Sequence, residues 1–340
     1  MKKYQLSIGG RSIIVAASTL NKVLSAGGNK TLLGQTDIYI ATQNGILEIV
    51  KEFLLNDRID PNKADNFGCT PLIYATQNGS LEIVKELLLN DIIDPNKADN
   101  NGCTPLIFAT NHHPNHDHYD PEYDIYINDH NEIVKALLSN DRIDPNSADK
   151  DGRTPLIHAA NNGSIEIVKA LLGNDRLDIN KADKYGCTPL INATNPDHDY
   201  NDHPFDAFYK DRTKIVKMLL LCSEINVNMK DRTGRTPLIY AIYNNNIDNV
   251  ETLLLHSKIN AYMKDNTGRS PLIYAVNSGS LEIVKALLGK YRIDAINRDP
   301  QMKLAEENKL SNIISSAMKL AKEKKLSDII EELNIFFYKV

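Results

Sequence analysis

Histidine and aspartate gather in two short stretches of the chain, and these hold the residue types best suited to chemistry. Residues 111–129 contain His112, His113, His116 and His118 with Asp117, Asp120 and Asp124, and His130 follows. Residues 195–212 contain His198 and His203 with Asp197, Asp199, Asp202 and Asp206. Imidazole and carboxylate together can ligate zinc or another divalent ion, so a metal-binding module or metal-dependent activity is one reading of these stretches. Against it, His112-x3-His116-x-His118 lacks a rigid scaffold, and the aspartates outnumber what a closed site could use. The competing reading is a polar loop that meets solvent or a partner through His116, Tyr119, Tyr123, His198, Tyr200 and Phe205. No metal ligand set and no cofactor is assigned.

Other chemical motifs are weaker. Gly27-Gly28-Asn29-Lys30-Thr31 resembles the end of a phosphate loop, but Asn29 separates glycine from lysine and the earlier glycine is missing. His130-Asn131-Glu132 matches half of a zinc-deaminase signature with no Pro-Cys-x-x-Cys after it. No nucleophile elbow, kinase set or His-Glu-x-x-His is present, so no catalytic residue is assigned and the chain is expected not to be an enzyme. Cys69, Cys103 and Cys187 recur at one phase of the sequence, which stacked helices about 8–10 Å apart would hold too far apart for a disulfide. Four reduced thiols fit a cytoplasmic location, with export into another cell's cytosol left open.

The 340 residues are 42% apolar and 24% charged, with 39 basic and 44 acidic side chains giving a formal charge of −5. That balance argues against a nucleic-acid partner, which would call for an excess of Lys and Arg on one face. No apolar run approaches the roughly 18 residues needed to span a bilayer. Lys2 and Lys3 precede only a short apolar run, Ile13 to Ala17, which is a poor secretory signal.

The elements that must position any site come from repetition. Thr-Pro-Leu stands at Thr70, Thr104, Thr154, Thr188 and Thr236, with Ser270-Pro271-Leu272 as a variant and Thr36-Asp37-Ile38 as a degenerate copy. The steps are 34, 34, 50, 34, 48 and 34 residues, a period of 34 with two insertions. Gly34, Gly68, Gly102, Gly152, Gly186, Gly234 and Gly268 precede each copy by two residues. Asp65, Asp99, Asp149, Asp183, Asp231 and Asp265 precede six of those glycines by three. Asp-x-x-Gly predicts a turn. Thr then supplies a helix cap and Pro fills the first helical position, where its missing N–H costs nothing. Asn78-Gly79 predicts the end of a short first helix. Leu81 to Leu88 reads as a second helix with a wide apolar stripe, and Asp94-Pro95 predicts an extended link to the next turn.

Seven such units resemble the ankyrin repeat, a turn with two antiparallel helices and a Thr-Pro-Leu-His-x-Ala core. The resemblance covers roughly residues 34–298. Its histidine is replaced by Ile73, Ile107, Ile157, Ile191, Ile239 and Ile273, so apolar packing must replace a side-chain hydrogen bond. The expected fold is an all-α solenoid of stacked turn–helix–helix units. A degenerate helical cap spans 1–33, with a compressed helix pair at 12–26. Units follow at 34–67, 68–101, 102–151 (insert 111–129), 152–185, 186–233 (insert 195–212), 234–267 and 268–298. A helical cap at 299–340 is read from Leu304 to Ile314 and its echo, Leu320 to Ile330; an adaptor-binding motif is the alternative there. Thr70 to Thr154 and Thr104 to Thr188 are both 84 residues, so a two-unit block reads as duplicated with its insert.

The resemblance implies a non-catalytic scaffold that binds a protein partner on its concave face and turn tips. The residue after each isoleucine falls on that face: Tyr74, Phe108, His158, Asn192, Tyr240 and Tyr274. Aromatic rings there either greet a partner or cover neighbouring helices, and the sequence leaves both open. Phe67, Tyr185 and Arg232 occupy the turn tips. A monomer is expected, with no membrane or nucleic-acid role.

Overall fold

The repeated Thr-Pro pair opens a helix in each unit, as its chemistry requires. A computed structural model of the protein describes residues 3–8, 11–16, 37–43, 45–55, 59–111, 121–195, 206–296 and 303–339. Thr70 Oγ1 accepts a hydrogen bond from Ile73 N at 3.2 Å, and Thr104, Thr154, Thr188, Thr236 and Ser270 do the same for the isoleucine three residues on. Proline stands in the first turn of all six helices. Ile73, Ile107, Ile157, Ile191 and Ile239 are buried, so apolar contact does replace the histidine's polar one.

The chain divides into two compact units, Met1–Asp178 and Ile179–Val340. In the first, short inner helices Asp37–Gln43, Pro71–Gln77, Pro105–Thr110 and Pro155–Asn162 alternate with outer helices Leu47–Leu54, Leu81–Leu88, Pro121–Leu138 and Ile165–Leu172. Inner helices pack on inner and outer on outer, and each pair closes on itself. The stripe read from the sequence is the core: Ile83, Val84, Leu87 and Leu88 are all buried, each contributing about 1.5–3 kcal/mol by leaving water. In the second unit the inner helices are Pro189–Thr194, Pro237–Tyr243 and Pro271–Ser278, and the outer ones Asp206–Leu220, Ile247–Leu254 and Leu281–Ile296. Lys303–Glu323 then packs on Pro271–Ser278, and Ser327–Lys339 on Leu281–Ile296, so the C-terminal helices take the places of one more pair. Leu310, Ile313, Ile314, Ala317 and Ala321 form the buried stripe of the first of them.

The structure corrects the expectation at three places. Residues 12–16 are not helical: Lys3–Ile8 pairs antiparallel with Arg11–Ala16, Leu6 opposite Ile13. The β-branched run Ile13-Ile14-Val15 favours a strand. Ile8 opposite Arg11 leaves only Gly9 and Gly10 between the strands, the residues a two-residue hairpin connection calls for. The rest of the proposed helix pair, residues 17–26, lies outside the described residues. Second, the inserts are not loops throughout. Residues 121–129 join the outer helix as one helix, Pro121–Leu138, and 206–212 do the same in Asp206–Leu220. Pro121 is suited to a first helical turn. Third, the outer helix of the last unit runs on to Ile296 instead of ending after about two turns.

Within each compact unit, three sets of bonds tie neighbouring repeats together. At the turns, Asn100 N donates to Phe67 O at 2.8 Å and Lys150 N to Asn101 O at 2.8 Å. Gly68, at φ +82°, is required there, because a Cβ would lie 2.5 Å from Asn100 N. At the links, an asparagine amide spans two backbone groups of the next unit. Asn96 Nδ2 donates to Arg142 O (2.6 Å) while its Oδ1 accepts from Asp144 N (2.8 Å). Asn62, Asn146, Asn180 and Asn228 repeat the pattern. At the outer edge, the Arg142 guanidinium reaches Leu88, Asn90, Asp91 and Ile93 carbonyls at 2.7–3.4 Å, satisfying the end of the preceding outer helix.

Removing one amide bridge strands a donor and an acceptor together. Asn96→Ala should lower unfolding free energy by about 1–2 kcal/mol, read from the denaturant midpoint. Glu82→Ala, which loses only an exposed pair with Lys85, should change it by about 0.5 kcal/mol or less. Equal effects from the two variants would show that the amide bridge contributes nothing particular.

Candidate partner-recognition surface

Each turn aspartate organises the residues around it. Asp65 Oδ1 accepts from Phe67 N (2.9 Å) and Cys69 N (2.8 Å), closing the turn. Its other oxygen accepts the Tyr74 hydroxyl at 2.6 Å. The same two-sided use recurs at Asp231 with Tyr240 and at Asp265 with Tyr274, both 2.6 Å. His158 Nε2 lies 3.0 Å from Asp149 Oδ2. Phe108 has no group to offer Asp99, and Asn192 Nδ2 donates to Thr188 O at 3.0 Å.

Electrostatics follow from this arrangement. Burial alone would raise the carboxyl of Asp65, but the Tyr74 hydroxyl and the turn N–H groups outweigh it and hold the group below its ordinary range. Asp149 and Asp265 are lowered in the same way, through His158 and through Tyr274 with Thr267. Burial, then the hydrogen-bonded carboxylate, pushes Tyr74 and Tyr240 up. Burial likewise pushes Cys69 to about 11 and Cys103 to about 12, which leaves both as thiols at neutral pH. None of the four cysteines is in a disulfide.

The residues assigned to the concave row are therefore largely sunk into the fold. Tyr240 and Tyr274 are 7% and 5% exposed, His158 and Asn192 are buried, and Tyr74 and Phe108 are half-buried. Beside them stand exposed residues of the turn tips: Phe67 at 72% and Tyr185 at 48%, with Arg232 exposed as well. In the second unit, Arg235 lies over three rings, 5.6 Å from Tyr240, 5.3 Å from Tyr243 and 5.8 Å from Tyr274. Burial disfavours its charge, yet hydrogen bonds with the Tyr274 and Tyr240 hydroxyls raise its pKa on balance. Tyr243, 49% exposed, closes this cluster and packs edge-on to Tyr274 at 6.4 Å. In the first unit Tyr39 packs edge-on to Tyr74 at 5.9 Å. Sequence reasoning missed Tyr39, Arg235 and Tyr243. The available signal was their phase: Arg235 directly precedes a Thr cap, and Tyr243 follows Tyr240 by three positions.

Of the insert residues, His116, Tyr119, His198, Tyr200 and Phe205 lie outside the described residues, and Tyr123 falls within the helix Pro121–Leu138. His130 is buried at the start of the canonical outer-helix phase, its ring 3.4 Å from where a Cβ of Gly79 would stand. Glu132 pairs with Lys135 at 2.6 Å on the helix surface. Among the described residues no three His, Cys, Asp or Glu converge to hold a metal ion, and no helix is long and apolar enough to cross a membrane.

Comparison with known proteins agrees with this geometry. A family model of ankyrin repeats in three copies matches residues 21–119, 124–200 and 205–299. The ankyrin repeat domain of Bcl-3, described as a unique member of the IkappaB protein family, superposes with a TM-score of 0.58 at 23% identity, covering 74% of this chain and 96% of that one. EF0377, an ankyrin repeat protein, gives 0.53 at 25% identity, covering 65% and 97%. Comparison with curated proteins returned no match.

The aspartate network makes stability depend on acid. A carboxyl whose folded pKa is depressed contributes stability above its unfolded value of about 4, and that stability is lost as pH falls through the folded value. The carboxylate contribution to the thermal midpoint should therefore be flat from about pH 5 to 7 and be lost below about pH 4. Tyr74→Phe combined with Tyr274→Phe should lower the neutral-pH midpoint and make the acid loss shallower. An acid profile parallel to that of the unaltered protein would show that the tyrosines do not stabilise the carboxylates.

Proposed function

The chain belongs to the ankyrin-repeat family, and from that premise we propose that it is a protein-binding scaffold with no catalytic step of its own. The observation that carries this reading is the exposure of large rings on rigid turns, Phe67 in the first unit and Tyr185 in the second. Each turn is closed by aspartate and bonded to its neighbour, so a ring held there loses little freedom on binding. Aromatic side chains of this kind are frequent anchors at interfaces. The row Tyr74, Phe108, His158, Asn192, Tyr240 and Tyr274 serves as the floor of the recognition face, with Tyr74 and Phe108 contributing the accessible part. The residues of the two inserts add a secondary contact. Reduced, high-pKa thiols suit a protein that works as a monomer in a reducing compartment.

Affinity capture followed by titration of the purified partner tests this. Phe67→Ala or Tyr185→Ala should weaken binding by about 1–3 kcal/mol and leave the thermal midpoint unchanged. Tyr240→Phe should lower the midpoint and leave affinity intact. Unaltered binding by both tip variants would remove the tips from the recognition surface.

A further inference from the structure

The turns of the second compact unit carry a charge that those of the first do not. Residues 181–187, 229–235 and 263–269, which run from two before each turn aspartate to one past the glycine, hold seven basic and three acidic side chains. The matching stretches of the first unit, 63–69, 97–103 and 147–153, hold four of each. The three acids of the second unit, Asp183, Asp231 and Asp265, are buried, and one oxygen of each accepts two turn N–H groups. Lys230, Arg232, Lys264 and Arg269 are exposed, and among the described residues none of the four forms an ion pair. The inner helices beside them, Pro189–Thr194, Pro237–Tyr243 and Pro271–Ser278, have no charged residue.

Position is as regular as sign. Arg232 N donates to Tyr185 O at 2.8 Å and Asn266 N to Thr233 O at 3.0 Å, so the three turns form one bonded ribbon. Lys230 and Lys264 share one phase of consecutive repeats, and Arg235 and Arg269 another. Stacked helices lie about 8–10 Å apart, so the cations stand in ranks with that step and do not converge on one point. A single phosphate calls for convergent donors, whereas ranks suit carboxylates met one by one. In an extended, polyproline-like chain every third residue returns to the same face after about 9 Å, which matches the step. Tyr185 and Tyr243, 48% and 49% exposed, stand on the ribbon and beside Arg235.

Building on the scaffold reading above, we propose that the turn ribbon of the second unit binds an extended acidic segment of the protein partner, with Asp or Glu at about every third residue. Arg232 and Arg269 hold carboxylates through paired N–H groups, and Lys230 and Lys264 supply compact charge beside them. Tyr185 and Tyr243 cover the apolar groups between the carboxylates. The turns are already fixed by their aspartates, so little ordering cost falls on this side of the complex.

The probe is a labelled, acetylated peptide of repeated Asp-Leu-Pro triplets. Fluorescence anisotropy should show saturable binding that weakens as salt is raised, and the Asn-Leu-Pro counterpart should bind about tenfold more weakly or worse. Arg232→Gln combined with Arg269→Gln should weaken binding about tenfold and leave the thermal midpoint unchanged, because both side chains are exposed. Lys97→Gln combined with Lys150→Gln removes equal charge from the turns of the first unit and should change affinity by less than about twofold. Failure of the acidic peptide to saturate, equal binding of its Asn counterpart, or equal loss from the two double variants would overturn the proposal. So would tighter binding of a thymidine oligonucleotide, which would assign the ribbon to nucleic acid, or of a peptide whose one anion is a phosphoserine. Loss of a captured partner on Phe67→Ala, a tip of the first unit, would still support the scaffold when any of these removes the acidic segment.

Discussion

The turn carboxylate is the interaction on which the rest of each unit depends. One oxygen gathers the N–H groups of residues two and four positions on, and this fixes the turn and places the Thr cap after it. Where the unit carries Tyr74, Tyr240 or Tyr274, the other oxygen receives a hydroxyl from the inner helix nine residues later. A single side chain thus sets the angle between turn and helix. Burial would neutralise an isolated acid, yet at Asp65 and Asp265 the donors are sufficient to keep the charge. Without it the turn N–H groups would face one another with no acceptor, and the next turn could not approach Gly68 or Gly102 as closely as it does.

This dependence revises how the aromatic row is understood. The sequence places tyrosine at one phase of the inner helix but does not say which way its hydroxyl is engaged. In the structure the hydroxyl is consumed by the turn, and in the second unit Arg235 bridges two such tyrosines through their rings. Rings that looked like partner contacts are therefore also part of the frame. A substitution that removes them acts on stability.

Much of this was legible in the residues. Asp-x-x-Gly-x-Thr-Pro names acceptor, left-handed position, cap and first helical residue in order, so turn and helix start could be placed to the residue. The outer stripe Ile83-Val84-Leu87-Leu88 was equally plain. The N-terminal segment was not, because Ile13-Ile14 followed by Ala16-Ala17 fits a short helix as readily as a strand. Only pairing with Leu6 and Tyr4 decides it. The helical tails of the inserts were hidden by their polar composition, which carries no apolar stripe of helical period to read. The amide bridges escaped notice because Asp-Pro-Asn at Asn62, Asn96 and Asn146, and its variants at Asn180 and Asn228, read as ordinary links. Each asparagine acts on the next unit, at a distance that no local pattern encodes.

The corner between inner and outer helix has a standing of its own. Turn bonds and amide bridges both run along other edges of a unit, and the buried stripes lie within the helices. The corner is crossed by single amide bonds, Asn162 Nδ2 to Thr110 O and Asn244 Nδ2 to Thr194 O, and these leave its length outside the turns and links that hold the period at 34 elsewhere. Chain can be grown there without disturbing the spacing of neighbours, and growth there reshapes only what lies beside it. Such a corner works as a grafting point: variety accumulates at one locus while the frame keeps its step.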